Sequence, residues 1–128
     1  MLRRIAIEAR LQLRPVPTSA GIARRFVGAT LSAWGCDHAV DLVTLLVSEV
    51  VTNAVLHARS DFELHVESGQ HLIRIEVSDG STLTPTIREH DDDDAMTGRG
   101  LALVDQLASS WGVTPHDGGK TVWFEVAA

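Results

Sequence analysis

From Leu42 to Ala58 the chain reads LVTLLVSEVVTNAVLHA, without Gly or Pro and with few polar positions. A segment apolar nearly all the way round is expected to be a core helix, buried on most sides. Its polar residues are ordered. Glu49, Asn53 and His57 fall four apart, so they line one helix face, each about 40° round from the last, with Thr52 on the near side of the same stripe. A carboxylate, an amide and an imidazole are costly to bury there without partners. Either the stripe is the solvated face of an amphipathic helix, or it faces a cleft that holds a polar ligand. In the second case a metal ion would satisfy Glu49 and Asn53 together.

The remaining pattern surrounds that helix. Arg4 to Arg14 alternates apolar and polar residues, with Ile5, Ile7, Leu11 and Leu13 on one side, and predicts a half-buried strand with a register change near Ala9. Pro15 and Pro17 end it. Thr18 or Ser19 can cap a helix running to about Trp34, with Ile22, Phe26, Val27 and Leu31 inward and Arg24 and Arg25 outward. Gly35 stops it, and Asp37 can cap the core helix. Phe62, Leu64 and Val66 then alternate with charged residues, as do Ile73, Ile75 and Val77, which predicts a hairpin turning at Gly69-Gln70. From Gly80 to about Gly98 no periodicity is visible, and a stretch of that length inside a compact domain is a lid or a disordered segment. Leu101, Leu103, Val104, Leu107 and Ala108 have helical spacing ending near Trp111 and Gly112. Val113-Thr114 and Thr121 to Val126 form a last hairpin around Asp117-Gly118-Gly119, with Trp123 and Phe124 on opposite faces. This order predicts an α+β fold: a two-layer sandwich of a mostly antiparallel sheet with helices on one face.

Composition narrows the function classes. A chain of 128 residues suits one domain, residues 1–128, with one sizeable core. A formal net charge of −6 argues against nucleic acid as the main partner. The single Cys36 excludes an internal disulfide framework and fits a reducing, cytoplasmic setting; a small residue at a helix connection explains it better than a catalytic thiol. No apolar run is expected to reach the roughly 20 uncharged residues of a membrane span, and the start MLRRIAIEAR is too broken by charge for a signal peptide.

Three segments carry candidate chemistry. Beside the polar stripe stands Asp79 at a strand end, where a buried carboxylate can accept a hydrogen bond from an exocyclic amine. The small Gly80 and Ser81 after it would let a flat ring lie close to the backbone. Gly98-Arg99-Gly100-Leu101 reads as a Gly-rich turn opening a helix, whose N–H groups suit anionic oxygen and to which Arg99 adds charge. Alone, a strand ending in Asp-Gly is most often a turn, and a Gly-x-Gly before a helix is most often a cap. Together, in this order, with a lid of about residues 80–99 between, they describe a nucleotide pocket.

Glu49-x-x-x-Asn53-x-x-x-His57 resembles the N box of the GHKL (histidine-kinase-like) ATPases. Asp79-Gly80-Ser81 resembles their first glycine box, Gly98 to Val104 the second, and Gly119-Lys120-Thr121 the closing Gly-Thr element. The short chain most resembles the anti-sigma regulatory factors, single-domain serine/threonine protein kinases. The resemblance implies the Bergerat ATP-binding fold, with ATP and Mg²⁺ as cofactors. It implies that Asn53 coordinates Mg²⁺, that Glu49 is the general base, and that Asp79 binds the adenine amine with support from the Thr121 hydroxyl. Ser81 would lie against the base, while Gly98, Arg99, Gly100 and Leu101 would wrap the phosphates. His57 would either line the pocket or cap the helix end, where it suits the dipole. The implied partners are a sigma factor and a STAS-type anti-anti-sigma protein whose serine is phosphorylated. Neither nucleic acid nor membrane is expected as a partner. A homodimer is compatible, because the family uses surfaces near the first strand and helix; Ile5 and Ile7 there fit a plain core strand equally well. A non-catalytic nucleotide-sensing or sigma-binding scaffold is the alternative. The family's first glycine box reads Asp-x-Gly-x-Gly, and Ser81 and Leu83 stand where its glycines would be. The run Asp91 to Asp94 falls in the lid, where like charge beside a phosphate costs free energy, so it is read as a solvated tip pointing outward.

Overall fold

A computed structural model describes residues 7–57, 60–80 and 95–128, the side chains of 95–100 excepted. The elements run β1 (Ile7–Leu13), α1 (Ser19–Ala33), a short 3₁₀ turn (Asp37–Ala39), α2 (Val40–His57), β2 (Phe62–Ser68), β3 (Leu72–Asp79), α3 (Ala95–Leu107), β4 (Ser110–His116) and β5 (Gly119–Ala127). The strands form one sheet in the order β1-β2-β3-β5-β4, and every neighbouring pair is antiparallel. The architecture is the expected α+β sandwich.

Period-two alternation divides the sheet into two faces. Phe62, Leu64 and Val66 of β2, Ile73, Ile75 and Val77 of β3, and Val122, Phe124 and Val126 of β5 are each no more than 3% exposed, and they share one core with α1 and α2. Burying each such side chain contributes about 1.5–3 kcal/mol. The β1 register against β2 is unbroken from Ile7↔Ser68 to Leu13↔Phe62. No register change occurs at Ala9, because all its inward residues are odd-numbered and a small Ala simply keeps its place in the alternation. In α1 the inward stripe is Ser19, Ala23, Val27 and Leu31. Ile22, expected inward, is 39% exposed, because the close approach of α2 selects the small Ala23 for the contact. Thr18 occupies the N-cap without a side-chain cap bond, while the buried Ser19 hydroxyl donates to the Arg14 carbonyl at 2.5 Å. Gly35, at φ 76°, ends α1, with Cys36 N–H donating to Leu31 O at 2.8 Å and Gly35 N–H to Ser32 O at 3.1 Å.

Asp37–His57, 21 residues, is long and apolar enough to cross a membrane by length and composition, although Asp37, Asp41 and Glu49 interrupt it and leave no run of about 20 uncharged residues. Its apolarity has a use within the fold: α2 packs on α1, on α3 and on β3, so Val43, Leu46, Val47, Val50, Val51 and Ala54 are all buried. Two boundaries also shift. The third helix stops at Leu107, short of Trp111 and Gly112, which lie in β4 opposite Phe124 and Trp123. Gly112 is needed there because a Cβ would stand 2.9 Å from the Trp123 ring. The β2–β3 connection takes its positive φ, 70°, at His71 and not at Gly69 or Gln70.

The outer face of the sheet carries a chain of charges across β1, β2, β3 and β5, which Ser110 extends to β4. Arg10 reaches Glu8 and Glu63, each at 3.3 Å. His65 lies between Glu8 and Glu76, with one ring nitrogen 3.1 Å from each. Arg74 donates to Glu76 at 2.8 Å and to Glu125 at 2.9 Å, and its guanidinium lies 4.2 Å over the Trp123 ring. Ser110 then donates to Glu125 at 3.0 Å. The hydrogen bond with His65, then that with Arg10, holds the Glu8 carboxyl below its ordinary range. Burial acts to raise Glu76, but hydrogen bonds with Arg74 and His65 outweigh it and leave that carboxyl lowered as well.

A carboxyl with a lowered folded-state pKa binds its proton more weakly in the folded chain than in the unfolded one. Its stabilisation is complete above the ordinary value of 4.5 and is lost as pH falls through the lower folded value. Urea unfolding followed from neutral into acid pH should therefore show a shallower loss of stability for Glu76→Gln than for the wild type. Parallel curves would show that the ladder does not couple to pH.

Candidate functional site

Three chain segments meet at one end of the sandwich. Gly80 follows β3, and a Cβ there would lie 3.2 Å from Ser60 Oγ and 3.5 Å from Gly118 O. The chain leaving α2 therefore passes the end of β3, and the β4–β5 turn closes on it from the other side. The last turns of α2, with Asn53 and His57, thus share this end with Asp79 and with the start of β5. Asp79 has the inward parity of Val77 and is 7% exposed.

Asn53 is 4% exposed, and its Oδ1 has no hydrogen-bond partner among the described residues. Glu49, one turn earlier, and His57, in the final turn, are half-buried. The stripe is therefore not a uniformly solvated face. A buried carbonyl oxygen left without a donor costs about 1–3 kcal/mol, and a hard cation would satisfy it. Among the described residues no group of three or more His, Cys, Asp or Glu could hold a metal ion. A cation at Asn53 would then take most of its ligands from outside the described residues, as Mg²⁺ can from phosphates and water.

Asp79 has a partner that the sequence reading missed. Lys120 Nζ donates to both Asp79 oxygens at 3.2 Å, and Lys120 is only 4% exposed. The two residues face each other across the β3–β5 ladder. Thr121, expected to support Asp79, points to the opposite face, where its hydroxyl lies 2.7 Å from Ser78 Oγ. The reason is parity. Val122, Phe124 and Val126 point inward, so Lys120 does too and Thr121 cannot. That signal was present in the alternation, but a lysine is rarely assigned to a core position. Gly119 makes the register possible: a Cβ there would stand 1.9 Å from the Asp79 carbonyl oxygen and 3.0 Å from Gly80 Cα.

Gly98, Arg99 and Gly100 do not form a turn before the helix; α3 starts at Ala95 and includes them. Ala95 and Met96 are good helix formers, and a glycine weakens a helix by about 0.5–1 kcal/mol relative to Ala without forbidding it. The N–H groups that helix geometry leaves without intrahelical acceptors at this helix start are those of residues 95–98. Leu101 is 1% exposed and packs as a buried residue. Ser81, Leu83, Asp91 to Asp94 and the Arg99 side chain lie outside the described residues.

Gly119→Ala should destabilise the domain by more than about 3 kcal/mol, because the obstructing atoms are backbone; an unchanged midpoint in urea would show that β5 can move away from Asp79. Asn53→Leu removes an unpaired oxygen at nearly constant volume, so the ligand-free protein should melt at the same temperature or higher. A clear drop in Tm would mean that the amide oxygen is satisfied after all.

A family model for the histidine kinase-like ATPase domain matches residues 13–126. No curated protein matches the sequence. Among solved structures, that of the RsbU and RsbW domains of Rv1364c from Mycobacterium tuberculosis has a TM-score of 0.67 at 21% identity. The match covers 94% of this chain and 32% of that one, and at this identity the likeness speaks for the fold. With the family match running from the end of β1 into β5, the chain belongs to the histidine kinase-like ATPase domain family.

Proposed function

We propose that this domain binds ATP with Mg²⁺ where α2, β3 and β5 meet and transfers the γ-phosphoryl group to a serine of a STAS-type anti-anti-sigma protein. In this reading it also binds an RNA polymerase sigma factor directly and holds it inactive. The observation that carries the reading is the Oδ1 of Asn53, without a partner among the described residues and buried on the core helix at the end where Asp79 lies. Support for the subfamily comes from the ordered motif set of Glu49, Asn53, Asp79 and Gly98 to Val104.

Asn53 would hold Mg²⁺ through Oδ1, and the bound ion would supply positive charge against the triphosphate. Glu49, half-buried one turn before Asn53, would take the proton from the serine hydroxyl as its oxygen attacks the γ-phosphorus and ADP leaves. Asp79 would accept from the adenine amine. The N–H groups of residues 95–98, at the start of α3, would face the phosphates, with the segment between Gly80 and Ala95 as a lid.

The pairing of Asp79 with Lys120 and the replacement of two motif glycines by Ser81 and Leu83 favour a second reading. In that reading the same fold serves as a sigma-binding scaffold without turnover. Calorimetry with ATP and Mg²⁺ separates the two, since a kinase must bind at physiological nucleotide levels.

Labelled ATP incubated with the protein and its cognate anti-anti-sigma protein should yield phosphoserine. Glu49→Ala should lower the rate by on the order of 10²–10⁴-fold, and Asn53→Ala should abolish Mg²⁺-dependent ATP binding. Absence of transfer, or transfer unchanged by Glu49→Ala, would remove the kinase reading.

A further inference from the structure

We propose that Lys120 is a built-in competitor for the nucleotide base: its ammonium holds the Asp79 carboxylate in the ligand-free protein, and an incoming exocyclic amine must displace it. This inference rests on the nucleotide-site reading above and adds a residue that determines affinity. Lys120 Nζ stands 3.2 Å from each Asp79 oxygen, and the side chains of Lys120 and Asp79 are only 6% and 3% exposed. Lys and Asp are almost never this buried unless paired, and the ion pair satisfies that requirement for Lys120 and contributes to it for Asp79.

The lysine has little freedom to stand elsewhere. It lies opposite Asp79 in the β3–β5 register, and Gly119 before it packs its backbone directly on the Asp79 carbonyl. Its stem therefore leaves the strand on the inward side, at the end of the sandwich where Asn53 is buried. The ammonium gives each carboxylate oxygen a charge-assisted hydrogen bond. An adenine amine is a neutral donor: its bond to the carboxylate is charge-assisted on the acceptor side only and lacks the attraction between opposite charges that the ammonium adds. Binding adenine at Asp79 therefore requires the ammonium to give up part of its contact, and this lowers the affinity of the site for ATP. A residue of smaller size or without charge at position 120 would remove the ammonium's competition for the carboxylate.

The test uses two measurements on the full chain. In the ligand-free protein, a double-mutant cycle of Lys120→Met and Asp79→Asn by urea unfolding should show strong coupling, the double variant being far more stable than the two single losses would give. By calorimetry with ATP and Mg²⁺, Lys120→Thr and Lys120→Gln should each bind at least ten-fold more tightly than the wild type. The glutamine variant keeps the stem if threonine does not fold. Absence of coupling would show that the ion pair does not hold in solution and would overturn the proposal. Coupling with ATP affinity unchanged or weakened in the variants would make Lys120 neutral or helpful to the base, and would overturn competition alone. No ATP binding by the wild type or either variant would remove the nucleotide-site reading itself, and competition with it, while the coupling still reports the pair.

Discussion

The close approach of β5 to the end of β3 is the constraint on which this end of the molecule depends. Gly119 meets the Asp79 carbonyl at a distance no side chain would permit. That contact sets the β3–β5 register, and the register sets which β5 side chains enter the interior. Inward parity then brings Lys120 to Asp79 and sends Thr121 to the outer face, beside Ser78. A one-residue slip would reverse every one of these assignments.

The two faces of the sheet handle charge differently. On the outer face Arg10, Glu8, His65, Glu76, Arg74 and Glu125 form a ladder in partial contact with water. There each pair contributes modestly and the order of charges matters more than any single contact. On the inner face the Asp79 carboxylate and the Lys120 ammonium are buried together, and the Asn53 amide oxygen is buried without a partner among the described residues. Low dielectric makes both costly to leave unsatisfied. Burial of α2 on three sides keeps Asn53 in that position: the apolar residues around it supply far more favourable free energy than one orphaned oxygen costs.

Much of this was legible from residue order alone. Alternation in β2, β3 and β5 and the 3.6-residue spacing of α2 are local signals, because each depends only on which face of an element must leave water. Gly35 and Asp117-Gly118 marked the ends of α1 and β4 because their backbone conformations are local as well. The stripe of Glu49, Asn53 and His57 and the position of Asp79 at a strand end could be read in the same way.

The tertiary structure decided the rest, through contacts between segments distant in the chain. Ala23 replaced Ile22 on the inner side of α1 because α2 approaches there. Trp111 and Gly112 left the third helix because Phe124 and Trp123 face them in β4. Gly98 to Gly100 entered α3, since a glycine weakens a helix without ending it. Asp79 and Lys120, 41 positions apart, became partners only when a glycine allowed two backbones to touch. Pattern along a chain tells each residue which way to face; which residue it will face depends on register and packing, and these exist only in the folded molecule.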